Sequence, residues 1–140
     1  MAFTGNYSCN VFKTGILNGS FDFSTDTFYL ALYTNNATLD ASTTEYTATG
    51  EASGGNYSAG GLPLTVTQTP TTGPSGTTAY ISFGNVSWTG AITARGALIY
   101  KSGSNGAVCV LDFGSDKTST ASFTVQFPSA TNSSAIIRIS

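Results

Sequence analysis

The chain has 140 residues, 9% of them charged, with five Lys and Arg against seven Asp and Glu for a net charge of −2, and it has no histidine. Its cations, Lys13, Arg95, Lys101, Lys117 and Arg138, are scattered, which argues against nucleic acid, because phosphate binding needs clustered Lys and Arg. Without histidine the usual general base and the usual zinc ligand are missing, and no apolar run reaches the ~20 residues of a membrane span.

A chain of this length is expected to form one domain over residues 1–140, since single cores commonly take roughly 100–150 residues. Residues 1–7 lack the basic and apolar regions of a secretion signal, so synthesis and retention in a cytoplasm are expected. Asn-x-Ser/Thr at Asn6, Asn18, Asn36, Asn56, Asn85 and Asn132 then reads as chance in a chain rich in Ser, Thr and Asn. Cys9 and Cys109 are either a disulfide or two small buried hydrophobes, and reduced thiols are the favoured reading.

Residues 8–18 read as the one helix, with Ser8 as N-cap, Val11, Phe12, Ile16 and Leu17 on one side, and Gly19 as the stop; Gly15 weakens it. From Thr27 the period changes to two. Phe28, Leu30 and Leu32 point one way and Tyr29, Ala31 and Tyr33 the other, so this strand is expected to be central and covered on both faces. Residues 35–61 are polar and Gly/Thr-rich, a stretch long enough to be functional or ordered by a partner. Two readings stand side by side: a contact surface, or a loop packed on the body and pinned by Tyr46 and Tyr57.

Residues 62–69 read as a strand and 68–78 as an exposed connection with Pro70 and Pro74. Residues 79–83 and 86–88 read as one strand broken by a bulge at Gly84-Asn85. The clearest hairpin joins residues 91–101 to 107–113 through a five-residue Gly/Asn/Ser loop. Residues 122–127 put Phe123, Val125 and Phe127 inward, and 135–139 close the chain with an apolar strand that must be paired. About eight short strands without helical repeats predict an all-β fold, a β-sandwich of Greek-key or jelly-roll type with one short N-terminal helix.

Few side chains are placed for chemistry. Cys109 lies in the apolar run Val108, Val110 and Leu111, where a thiol is inert with a raised pKa. Asp22 with Asp26, and Asp112 with Asp116, read as turn caps, with a metal site the weaker reading because neither cluster has enough converging ligands. The glycines of residues 54–61 lack the lysine of a phosphate-binding loop. Arg95, in an apolar strand, either faces solvent or pairs with an acid such as Asp112 across the hairpin, and a structural ion pair is favoured. Trp88 and the tyrosines Tyr29, Tyr33, Tyr46, Tyr57, Tyr80 and Tyr100 fit a sugar-stacking platform, a protein interface or core filling. No catalytic residue, metal or cofactor is expected.

Several blocks carry a family resemblance: Leu17-Asn18-Gly19-Ser20-Phe21-Asp22-Phe23, the strand from Asp26 to Thr34, Tyr46-Thr47-Ala48-Thr49-Gly50-Glu51, Ala94-Arg95-Gly96-Ala97-Leu98-Ile99-Tyr100, Val110-Leu111-Asp112-Phe113-Gly114 and the terminal Ala135-Ile136-Ile137-Arg138-Ile139. In these the chain resembles small virion structural proteins of tailed bacteriophages. The resemblance implies a non-enzymatic decoration or cement protein on the virion head, assembled in the host cytoplasm, with the major capsid protein as partner and a homotrimer as the preferred assembly. A tail or fibre component with a carbohydrate- or receptor-binding role is the alternative. Residues 1–12 and the 35–61 loop are extended and aromatic-bearing, the first without charge and the second with only Asp40, Glu45 and Glu51, which makes Phe3, Tyr7, Phe12, Tyr46 and Tyr57 the candidate capsid contacts.

Overall fold

A computed structural model of the chain describes residues 3–74 and 76–140. In chain order it contains β1 (Tyr7–Ser8), α1 (Asn10–Asn18), β2 (Tyr29–Tyr33), β3 (Leu62–Pro63), β4 (Val66–Thr71) and β5 (Ala79–Phe83). There follow β6 (Val86–Thr89), β7 (Thr93–Tyr100), β8 (Ala107–Thr118), β9 (Ser122–Val125) and β10 (Ile137–Ile139). The fold is mostly β with one short helix, and its strands form antiparallel sheets of five, three and two strands.

The five-stranded sheet has the order β1-β8-β7-β2-β3. Its spine is the β7–β8 hairpin, in register from Ala97 opposite Leu111 to Ile99 opposite Cys109. Lys101 N–H donates to Gly106 O at 2.8 Å across the hairpin's end, and Asn105 takes a positive φ of 59° there, a conformation asparagine tolerates. Strand β2 pairs with β7 from Tyr29 opposite Tyr100 to Tyr33 opposite Gly96. Leu30, Ala31, Leu32 and Tyr33 are all fully buried, so the apolar character on both sides of this strand does mark a central, doubly covered position.

Helix α1 begins two residues later than the sequence predicts. Ser8 is drawn into β1 opposite Cys109, and Cys9 becomes the N-cap with no side-chain capping bond. The far end agrees with the sequence: Gly19 sits at φ 80°, and Ser20 N–H donates to Gly15 O at 2.8 Å, the left-handed stop that glycine supplies. Gly15 has a packing reason to be in the helix, because a Cβ there would overlap the Phe21 ring. Leu17 does not share the buried side with Phe12. It lies five residues on, about 140° further round a helix of 3.6 residues per turn, and is 89% exposed.

Gly84-Asn85 is not a bulge within one strand. The chain changes sheet there: β5 lies between β10 and β4, while β6 pairs with β9. Gly84 N–H donates to Thr65 O at 2.8 Å, and Phe127 N–H donates to Asn85 Oδ1 at 2.9 Å, fixing the corner. Two further elements outrun the sequence reading. Strand β4 continues through Pro70, which an edge strand accommodates, and β8 continues past Gly114, which is at φ 85°, to rejoin β7 at Lys117 and Thr118. The C-terminal strand pairs with β5, Ile137 opposite Ile81.

One cluster of buried apolar residues runs through all of this, and its densest part is aromatic: Phe12, Phe21, Phe23, Phe28 and Phe83 lie in a chain of ring contacts with centroids 4.5–6.4 Å apart. Among the described residues no helix is long and apolar enough to cross a membrane.

The tightest backbone approach falls at Gly61, at φ 77°, where a Cβ would overlap Leu30 O in the centre of β2. Gly61→Ala therefore combines a disfavoured φ with a steric conflict against a buried strand, and it is expected to lower the unfolding free energy by about 3 kcal/mol or more. The single tryptophan, Trp88, is 1% exposed and so reports unfolding by its emission; a urea midpoint equal to that of the parent chain would contradict this account of the Gly61 turn.

Candidate functional site

The structure buries two of the five sequence-predicted contact residues and half-buries the other three. Phe3 is 1% exposed, its ring lying where a side chain at Gly96 would otherwise be, and Phe12 is 4% exposed with its ring edge-on to Phe21 at 5.1 Å. Phe3 presents no surface to a partner and Phe12 shows only the sliver that lines a groove between α1 and β10, so neither is the exposed contact on an extended arm that the sequence suggests. Their aromatic character serves the core, and the same local pattern fits either role. Tyr7 is half-buried on β1 opposite Val110, its hydroxyl 2.6 Å from Thr4 Oγ1. Asn6 Oδ1 accepts from Asp112 N–H at 2.6 Å, so this segment is tied to the sheet edge and is not a free arm.

Tyr46 and Tyr57 are brought together, but around a residue the sequence reading passed over. Glu51 Oε1 accepts from Tyr46 Oη at 2.6 Å, and Oε2 accepts from Tyr57 Oη at 2.5 Å and from Gly60 N–H at 2.7 Å. Tyr57 Oη in turn accepts from Leu32 N–H at 2.9 Å, and Tyr100 Oη donates to Gly60 O at 2.7 Å. Tyr46, Tyr100 and Tyr29 stack in a row with centroids 5.1 and 5.6 Å apart. Of the two readings of residues 35–61, the pinned loop describes these tyrosines: both are half-buried with their hydroxyls turned inward. Tyrosines flanking an acid in a Gly/Thr-rich loop were the available signal, although sequence distance alone could not bring the three to one point.

Burial, followed by the neighbouring Glu51 charge, raises the phenol pKa at Tyr33 and at Tyr100, the latter to about 12. Burial, then the hydrogen bond to Glu51, raises Tyr57 further and Tyr46 to about 12. These groups are held neutral far above neutral pH, Tyr46 and Tyr57 as donors to the Glu51 carboxylate and Tyr33 and Tyr100 as donors to the carbonyls of Thr47 and Gly60.

Arg95 and Asp112 pair: Nε lies 3.0 Å from Oδ1, with both side chains largely buried. Burial raises the Asp112 carboxyl, but the Gly114 N–H, the Arg95 hydrogen bond and the Arg95 charge outweigh it and hold the group below its ordinary value. Asp22 Oδ1 accepts from Ser24 N–H at 2.8 Å, and Asp26 Oδ2 accepts from Asp22 N–H at 2.9 Å while meeting Lys101 Nζ at 3.0 Å. These acids cap turns and join segments. Cys9 and Cys109 are free thiols; burial raises them to about 11 and about 12, so neither is a thiolate nucleophile at neutral pH. Trp88, the leading residue of a sugar-stacking surface, is buried against Tyr57, and its Nε1 has no hydrogen-bond partner.

The exposed apolar surface lies elsewhere, between α1 and β10. A groove of about 620 Å3 runs there, lined by Phe12, Ile16, Ile136 and Ile137 and bordered by Leu17 and Ile139, the exposed large hydrophobics among the described residues at 89% and 52% exposure. A second hollow of about 340 Å3, lined by Phe21, Phe23, Ala79 and Tyr80, lies on the other side of Ile16, Ile137 and Ile139. Comparison with protein-family models, with curated proteins and with solved structures gives no significant match.

The Glu51 centre yields two expectations. Glu51→Ala leaves the Tyr46 and Tyr57 hydroxyls and the Gly60 N–H without their acceptor, at a cost of about 2–4 kcal/mol, with faster amide exchange across residues 46–61 than in β7 and β8. Uniform exchange would show that the loop is not held there. In alkali, unfolded tyrosine ionises near ~10. Tyr46 and Tyr100 keep their protons in the folded chain to about 12, so the unfolded state binds fewer protons in that window and stability falls as pH rises through it. Phenolate absorbance should show a late-titrating class that joins the early one in urea; a single transition for all tyrosines would refute the network.

Proposed function

We propose that the chain is a non-enzymatic virion structural protein of a tailed bacteriophage, a decoration or cement protein seated on the major capsid protein of the head. The observation that carries this reading is where the reactive groups go. Glu51, Asp26 and Asp112 are engaged by internal partners, both thiols are buried, and the exposed surface of residues 35–61 is mostly Ser, Thr, Asn and Gly, with Glu45 its one exposed charge. A rigid body whose few exposed charges are scattered over a Ser-, Thr-, Asn- and Gly-rich skin suits repeated weak contacts in a lattice, and a homotrimer on a threefold position multiplies such contacts through effective concentration. Under this reading residues 1–140 are one domain, the sheets pack as a β-sandwich of Greek-key or jelly-roll type, and assembly takes place in the host cytoplasm without cofactor, membrane or nucleic acid.

The alternative, a tail or fibre component that binds carbohydrate, loses its leading residue because Trp88 is buried. Removal of residues 1–7 does not discriminate between contact sites, since it also takes Phe3 from the core and β1 from the sheet.

Incubating the purified chain with DNA-free expanded capsids and sedimenting them is expected to give saturable binding, with density at repeated lattice positions in a reconstruction of the particle. Density at the tail instead, glycan binding by the isolated protein, or turnover of a glycan or peptide would overturn the proposal.

A further inference from the structure

We infer that the α1–β10 groove is a docking site for an extended peptide segment that carries acidic side chains beside apolar ones. Three independent features converge on it. The first is apolar exposure: Leu17 and Ile139 border the same groove, although scattered single hydrophobics are the norm on a surface. The second is charge. Lys13 and Arg138 line the groove with no Asp or Glu side chain among its lining residues, and neither belongs to an ion pair among the described residues, in a chain whose net charge is −2. Lys13 Nζ reaches only Asn10 Oδ1, at 3.4 Å, and Arg138 donates to Ser133 O at 2.8 Å, so both cations keep donors for an incoming carboxylate.

The third feature is the backbone. Strand β10 is the outer strand of its sheet, paired on one side with β5 and, among the described residues, with no strand on the other. An extended segment laid along that edge gains main-chain hydrogen bonds, while alternate side chains fall toward the apolar floor and toward the cations. Because β10 has three residues, such pairing is short, and specificity rests on the flanking charges and apolar contacts. The inference stands on the groove and does not depend on the virion reading.

The test uses the full chain, isotopically labelled, titrated with a short capped peptide alternating glutamate and valine, and with its lysine-for-glutamate counterpart. Saturable amide shifts confined to the groove's lining, in α1, residues 136–140, Ser8 and Cys109, are expected for the acidic peptide, weakened about tenfold by the paired changes Lys13→Glu and Arg138→Glu and by Leu17→Asp. All three positions are exposed, so the thermal midpoint serves as the check on folding. Salt dependence of binding to the unaltered chain supplies a measure that needs no variant: affinity should fall as ionic strength rises. Shifts located in residues 35–61 or in β6 and β9, equal binding of the basic peptide, or salt-independent binding would overturn the inference. So would self-association abolished by Leu17→Asp, which would make a second copy the occupant.

Discussion

Everything in this fold depends on closing the second edge of β2. That strand is apolar on both faces and lies at the centre of the core, so each of its backbone groups needs a partner without help from water. Strand β7 satisfies one edge, but β3, on the other, is only two residues long. The irregular 35–61 loop supplies the rest: Ala52 N–H donates to Leu32 O at 2.9 Å, Thr34 N–H donates to Gly50 O at 2.8 Å, and Leu32 N–H donates to Tyr57 Oη. Leu64 N–H extends the row to Phe28 O at 2.7 Å. A segment without regular structure thus does the work of a strand. An unsatisfied buried group costs about 1–3 kcal/mol, so several such bonds together match the whole marginal stability of an ordinary domain.

That requirement explains why an acid lies in an otherwise charge-poor interior. A loop that follows a strand edge without being a strand has no ladder to hold its register, and Glu51 takes that part by gathering two phenols and one backbone amide from within the loop. Charge-assisted hydrogen bonds are roughly twice as strong as neutral ones, so one carboxylate anchors what several neutral contacts would be needed for. Gly61 belongs to the same arrangement. Its backbone passes so close to Leu30 that only a residue without a side chain fits.

What the sequence makes legible is what depends on neighbours in the chain. The doubly apolar β2, the β7–β8 hairpin with its Gly/Asn loop and the Gly19 stop all follow from local period or local backbone preference, and all are found where they were expected. Arg95 and Asp112 belong to the same class, because the hairpin sets Asp112 opposite Gly96 and the register irregularity beside it lets the neighbouring Arg95 reach the carboxylate. What was not legible depends on contacts far apart in sequence. An apolar residue near a chain end, Phe3, looks the same as a surface anchor until Gly96 opens a place for its ring. Gly84-Asn85 has the composition of a bulge, and whether the next strand rejoins the same sheet is decided by β9, nearly forty residues further on. Leu17 follows the apolar pattern of its helix and lies on the wrong side of it by angle.

The same distinction bears on where partners can act. Aromatic, uncharged segments are the natural first choice for a contact surface, yet in a chain with so few charges the aromatics are also the chief means of filling a core between short strands, and here the core has taken most of them. The residues left outside are informative for that reason. A chain that spends Phe3, Phe12 and Trp88 on its interior while leaving Leu17 and Ile139 in water beside two uncommitted cations carries an apolar surface that stability does not require. That exposed apolar surface lies at the helix and the last strand, away from the long loop that first draws the eye, and it is what the proposed docking groove rests on.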